Sequence, residues 1–132
     1  MAAENVVKAG DVMTKDIIYI DGGATVKEAV KKMNIKRVYS LIVNARNVDD
    51  AFGIVTRKDI VSKIVAQGKD PKAVKVHEIM TKPLITVSPG LSVEYCARLF
   101  AKTGIRRAPV FDGKKIVGMI NNTSLVRTLM QK

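Results

Sequence analysis

Histidine and cysteine are nearly missing from this sequence: His77 and Cys96 are the single examples of each. One cysteine excludes an internal disulfide, and one histidine excludes a histidine-built metal cluster. No Ser-His-Asp or Cys-His nucleophilic set can be drawn from them, and no Gly-x-x-x-x-Gly-Lys phosphate loop occurs. Tryptophan is absent and aromatics are 5% of the residues, so a stacking platform for single-stranded nucleic acid is poorly supplied. No apolar run approaches the roughly 18 residues of a membrane span. The opening Met-Ala-Ala-Glu-Asn has no charged segment ahead of an apolar one. No secretory signal and no membrane insertion are therefore expected, and a cytoplasmic location is. These absences favour a binding protein over an enzyme.

What is present is positive charge. Against 12 acidic residues the 132-residue chain carries 23 Lys and Arg, a net +11, with 47% hydrophobic residues. That composition belongs to a folded protein of one medium domain or two small halves. The charge points to anionic partners, nucleotides on one hand and nucleic acid on the other. The basic residues are spread along the chain and not gathered in a tail.

The sequence repeats itself. At an offset of 67, Val12-Met13-Thr14-Lys15 falls on Ile79-Met80-Thr81-Lys82, Ile17-Ile18 on Leu84-Ile85, Gly23 on Gly90 and Val43 on Val110. The offset then shortens to 65, and Gly53-Ile54-Val55 falls on Gly118-Met119-Ile120. The change lies in one turn, Asn44–Asp50 in the first copy against Phe111–Lys115 in the second. The repeats are residues 7–66 and 74–131. Residues 67–73 form a linker marked by Gly68, Asp70 and Pro71.

Each copy reads β-α-β-β-α, an α+β fold. Residues 17–20 and 84–87 are short apolar, β-branched runs. Helices follow after Thr25 and Ser92, with Val26, Ala29, Val30 and Met33, or Val93, Cys96, Ala97 and Phe100, on one face. Cys96 is thereby expected in the core and not as a nucleophile. Residues 38–43 and 108–111 begin hairpins completed by 51–55 and 116–120, and a last helix closes each copy. Halves of this size bury modest cores. Packing with pseudo-twofold symmetry is the simplest arrangement, and it predicts a ligand cleft between the copies.

At Gly53-Ile54-Val55-Thr56-Arg57-Lys58-Asp59 a strand gives way to a helix. Thr56 is the natural N-cap and Asp59 its third-position partner, a capping box with the shorter acid. The same geometry suits a nucleotide. A helix start offers N–H groups to phosphate, Arg57 and Lys58 add charge, and a carboxylate can accept from a ribose diol. In the second copy Asn121 stands where Thr56 does and Ser124 where Asp59 does, so that copy lacks the acid.

The two Met-Thr-Lys starts, Gly53–Asp59 and Gly104-Ile105-Arg106-Arg107-Ala108-Pro109-Val110, resemble the CBS domain, named after cystathionine β-synthase. Nearly the whole chain resembles a tandem CBS pair, or Bateman module, of the stand-alone archaeal and bacterial type. The resemblance implies a regulatory module without catalysis. Its ligand would be an adenine nucleotide, AMP, ADP or ATP, with S-adenosylmethionine less favoured, and no cofactor or metal is required. It matches Thr56 to the phosphate-side hydroxyl and Asp59 to the ribose-binding acid. Arg106 and Arg107 fall where the family places phosphate-reaching side chains, and Ile18, Val38, Tyr39, Ile85 and Ile105 in its adenine-lining region; Arg57 and Ser40 complete the candidate nucleotide-binding residues. Asn121 and Ser124 are the degenerate counterparts. The family implies a homodimer and a regulated protein that the sequence does not name; helix faces left apolar outside the shared core make Val30, Met33, Ile64, Leu99, Leu129 and Met130 the candidate contacts. A nucleic-acid-binding protein and an interaction scaffold with a decayed site are the alternatives.

Overall fold

The structure is a computed structural model that describes residues 6–82 and 84–131. The chain divides into two compact units. The first is residues 18–84; the second joins residues 6–17 to residues 85–131.

In the first unit, β1 (Tyr19–Ile20) pairs parallel with β2 (Ser40–Val43), which pairs antiparallel with β3 (Gly53–Thr56). All four residues of β2 are buried, in keeping with the unalternating Ser-Leu-Ile-Val. Between β1 and β2 lies α2 (Val26–Lys36), following a short α1 (Ala9–Val12) that belongs to the second unit. Thr25 caps α2 by accepting the Glu28 N–H at 3.1 Å, and the chain leaves α2 through Arg37 in the left-handed region at φ 57°. Val26, Ala29 and Met33 of α2 are buried against Leu41, Val43 and Val55 of the sheet. After β3 comes α3 (Arg57–Ile60), which continues as a π-helical segment over Val61–Val65. The Ser62 hydroxyl donates to the Lys58 carbonyl at 2.9 Å, competing for an acceptor of the ordinary ladder.

The second unit follows the same plan with less sheet. α4 (Val93–Thr103) is capped by Ser92 and ends on Gly104 at φ 78°. β4 (Arg107–Phe111) and β5 (Ile116–Asn121) form a hairpin, and α5 (Asn122–Arg127) runs into a 3-10 turn over Thr128–Gln131. The strand expected over 84–87 is reduced to one parallel bridge, Val87 to Val110. Cys96 is buried with Phe100, Ala108, Val110 and Ile120, as its helical spacing predicts, and desolvation raises its thiol pKa.

The packing units are not the sequence repeats. Each Met-Thr segment completes the sheet of the other copy. Thr81 exchanges backbone hydrogen bonds with Ile54 at 2.9 Å each way, and Thr14 with Met119 at 2.8 Å each way. Val76 and Ile79 enter the first core, while Ala9 enters the second. The glycines of Gly-Ile-Val and Gly-Met-Ile follow from this. A Cβ on Gly53 would come within 2.8 Å of Met80 Sδ, and one on Gly118 would meet Met13 Sδ and come 2.9 Å from the Thr14 carbonyl.

Among the dimer-contact candidates, Met33 and Ile64 are core residues and are removed from that role. Val30 and Leu99 are partly buried against the cores, whereas Leu129 and Met130 are exposed. The last helices also expose Val61, Val65 and Val126, more apolar surface than their spacing suggests.

Candidate functional site

The expected site residues fall into two groups, one in each unit. In the first unit β3 delivers Thr56 to the start of α3. Thr56 Oγ1 accepts the Asp59 N–H at 3.2 Å, and Asp59 Oδ2 accepts the Thr56 N–H at 2.9 Å and the Thr56 hydroxyl at 3.0 Å. The capping box is therefore complete. Asp59 Oδ1 faces Lys63 Nζ at 3.5 Å, one helical turn on. A carboxylate has about four lone-pair positions, and Oδ2 uses two here. The acceptor capacity left for a ligand hydroxyl is on Oδ1, on a side chain that is 14% exposed.

Arg57 is exposed at the same helix start, with its guanidinium 4.7 Å from the centroid of the Tyr39 ring. Its backbone N–H donates to the Tyr39 carbonyl at 3.1 Å, so the strand entry and the helix start are tied together. Tyr39 is 62% exposed, a broad aromatic surface beside the cation. Ser40 is buried and pairs in register with Thr56. Ile18 packs half-buried against the core, its carbonyl accepting from Ile42 N–H at 2.9 Å. Thr56, Arg57, Asp59, Tyr39 and Ser40 thus meet at one end of the β2–β3 ladder, with Ile18 beside it on the β1 approach. Lys58 is exposed next to them.

The second unit repeats the frame with other chemistry. The Asn122 N–H donates to the Arg106 carbonyl at 3.1 Å, matching Arg57 and Tyr39. Arg107 pairs in register with Asn121, matching Ser40 and Thr56. Asn121 Oδ1 accepts both the Ser124 N–H at 2.9 Å and the Ser124 hydroxyl at 3.2 Å. Ser124 is 3% exposed, so this residue, expected to offer a hydroxyl to a ligand, is instead closed into the cap. Ile105 lies half-buried at the margin of the core, Ile85 is exposed outside any strand, and Arg106 is exposed.

Sequence reasoning missed the aromatic seat of Arg57, because Tyr39 and Arg57 lie 18 positions apart on different elements. It also missed an ion-pair triad in the longer hairpin loop of the first unit. Asp50 accepts from Arg46 Nε at 3.0 Å and from Lys82 Nζ, and these contacts with the Arg46 N–H hold its carboxyl well below the usual carboxylate range. The available signal was the two-residue length difference at that loop. Among the described residues no helix is long and apolar enough to cross a membrane.

The family pattern described as CBS domain matches residues 9–66 and 76–131. An uncharacterised protein of Methanopyrus kandleri is 32% identical over 122 residues, covering 92% of this chain and 62% of its own. The mitochondrial CBS domain-containing protein CBSX3 of Arabidopsis thaliana is 36% identical over 111 residues, covering 82% and 54%. The chain thus spans between half and two thirds of the length of these relatives. Among solved structures, a hexameric CBS-CP12 protein from bloom-forming cyanobacteria is 50% identical with a TM-score of 0.89, covering 92% of this chain and 67% of its own.

Proposed function

The chain belongs to the CBS domain family, and from that premise we propose that it is a non-catalytic regulatory module binding an adenine nucleotide at the Thr56–Asp59 end of β3. The observation that carries this reading is the helix start itself: Thr56 and Asp59 locked together, with Arg57 held beside the Tyr39 ring. Such a corner supplies what a nucleotide needs. Arg57 and Lys58 complement phosphate, Asp59 Oδ1 can accept from a ribose hydroxyl, and Tyr39 offers a flat face to a base. The second unit has no acid at the matching place, so one working site per chain is expected.

The test is calorimetry and thermal melting with AMP, ADP, ATP and S-adenosylmethionine. A ligand that binds only the folded chain stabilises it by about 2.7 kcal/mol at a hundredfold excess over its Kd. A rise in melting temperature with an adenine nucleotide is the expected result. No change with any of the four at millimolar concentration overturns the reading and favours an interaction scaffold.

Self-association belongs to the same proposal. The exposed Val61 and Val65 of the first unit and Leu129 and Met130 of the second are apolar surface that a second copy would cover. The hexameric CBS-CP12 relative gives precedent for assembly. Light scattering that returns a monomer mass at micromolar concentration counts against it.

Nucleic acid remains the alternative partner, favoured by the exposed Lys27, Lys31, Lys36 and Arg37 on and just after α2, which have no ion-pair partner among the described residues. Binding measured against salt decides it, because displaced counterions give a steep slope.

A further inference from the structure

At the opposite end of β2 from Thr56 and Asp59, the first unit holds a hollow of about 670 Å³. Its walls are the Asp21–Gly23 turn, the Val43–Arg46 stretch and His77, Met80 and Lys82. That volume lies within the ordinary range of small-molecule sites. The nucleotide reading above makes no use of it.

The charge arrangement is what gives the hollow a meaning. Arg46 and Lys82 both line it, two cations brought together from positions 36 residues apart. Like charges so placed repel unless something holds them. Asp50 does so: it bonds both side chains and does not itself line the hollow. Its side chain is 9% exposed, against 81% for Arg46 and 25% for Lys82. The carboxylate is thus a concealed anchor and the cations are the accessible face. Each keeps donors in reserve, because Lys82 has used one of three N–H groups and the guanidinium has five in all. The acid that does line the hollow, Asp21, has Oδ1 occupied by the Asn44 amide at 2.7 Å. The His77 ring adds a further polar group that has no hydrogen-bond partner among the described residues, beside the apolar Val43 and Met80.

The second unit shows that the fold does not require any of this. At the matching positions Pro89 replaces Gly22, Gly10 replaces His77 and Phe111 replaces Asn44. Gly10 relieves a tight approach there, since a Cβ would lie 3.2 Å from the Pro89 carbonyl oxygen and 3.3 Å from its Cβ. In the first unit the small residue has moved to the turn: a Cβ on Gly22 would come 3.2 Å from His77 Cβ. That exchange admits an imidazole at the rim. The hairpin loop of the second unit is two residues shorter, and its Asp112 turns inward to accept the N–H groups of Lys114 and Lys115 at 2.8 and 2.9 Å. The two extra residues of the first loop are what bring an Arg–Asp pair up to Lys82.

We propose that this hollow is a second ligand site, separate from the nucleotide corner, that takes a small organic anion: one carboxylate or phosphate group, held by Arg46 and Lys82, on a compact apolar body resting against Val43, Met80 and His77.

The probes are phenyl phosphate, benzoate, inorganic phosphate and, as a neutral comparator, benzyl alcohol, each titrated into isotope-labelled full-length protein while backbone amide resonances are followed by NMR. Saturable shifts at Gly22, Gly23, Asn44, Ala45, Arg46 and His77 are expected with phenyl phosphate, benzoate or both, and which of them binds more tightly assigns the head group. Inorganic phosphate is expected to bind at least tenfold more weakly. Lys82→Gln and Arg46→Gln are each expected to weaken binding about tenfold, while Asp59→Ala leaves it unchanged. That last result separates this site from the nucleotide corner, so either can fail without the other. The proposal is overturned if neither organic anion gives saturable shifts by 10 mM, if benzyl alcohol binds as well as they do, if the shifts centre on Thr56–Asp59, or if the glutamine variants bind like the parent. The last outcome would mean that the triad only pins the loop.

Discussion

The starts of α3 and α5 hold the same backbone shape by opposite allocations of charge. At α3 an ionised acid at the third helical position reaches back to Thr56. At α5 the acceptor is the neutral amide of Asn121, and the third-position Ser124 is the donor. Both satisfy the orphan N–H groups of a helix start. Only the first leaves an anionic oxygen with acceptor capacity to spare, next to a cation. Both units therefore keep the fold requirement, and only the first keeps a spare acceptor that the proposed nucleotide would use. The difference teaches that the cap does not need an acid at its third position, so an acid there is free to serve the ligand proposed above.

The largest effect expected from breaking this contrast is on nucleotide affinity. Asp59→Ala removes a charge-assisted contact worth roughly 1.5–3 kcal/mol, about 10- to 100-fold in Kd. Ser124→Ala should change affinity less than about twofold, because Ser124 is buried in its own cap. Asp59→Asn keeps size and removes only the charge. Calorimetry on the three variants, with melting curves beside it, checks this. Equal losses in the Asp59 and Ser124 alanine variants would mean that the second unit also binds. If Asp59→Ala melts lower yet binds AMP like the parent, the residue is a cap and nothing more.

Cap removal reverses the ranking of the units. Thr56→Ala should destabilise by about 1 kcal/mol, the ordinary value of an N-cap. Asn121→Ala should cost about 2 kcal/mol, because it also strands a buried hydroxyl on Ser124. Denaturant melts at constant m-value measure both, and equal losses would show that water reaches Ser124 once the amide is gone. The helix ends give a smaller contrast. α2 leaves through Arg37 at φ 57° and α4 through Gly104 at φ 78°. Arg37→Gly should stabilise and Gly104→Ala destabilise, each by about 0.5–1 kcal/mol. The same sign for both would show that the left-handed turn is not what sets their energies.

How much of this was legible beforehand depends on distance along the chain. Apolar spacing in Val26–Met33 and Val93–Phe100 places α2 and α4 well, and the Thr56/Asp59 spacing predicts the capping box that the structure holds. The run at 84–87 reads as a strand because its residues are apolar and β-branched, yet only Val87 finds a strand partner. The exchange of Met-Thr segments was out of reach for a different reason. Residues 12–15 and 79–82 are near copies, so either could meet the hydrogen-bonding demands of either sheet, and alignment of repeats does not say which one each joins. Arg46, Asp50 and Lys82 are individually ordinary surface charges in a basic sequence. Only the loop's approach to position 82 makes them a unit.

The smallest effect is the titration of the two loop acids. Asp50 is held below the usual carboxylate range first by its hydrogen bond from Arg46, then by that from Lys82. Asp112 is lowered chiefly by the backbone N–H groups of Lys115 and Lys114. Both pKa values are depressed on folding, so the sign is the same. Each contributes stability that is fully present above the unfolded value of about 3.9 and is lost as pH falls through the folded value. Near neutral pH neither loop should respond to pH. Below about pH 4 the stability of both should decline together, with each acid still partly ionised where an unfolded aspartate is not. The causes differ, and salt separates them. Ion pairing to Arg46 and Lys82 is screened, whereas backbone donors fixed in a turn are much less so. Carbon-detected NMR titration of the side-chain carboxyls at low and at 0.5 M salt should therefore move the Asp50 midpoint upward and leave that of Asp112 nearly where it was. Midpoints that move together would mean that the Lys82 contact is not held in solution, and the hollow beside it would lose its anchor.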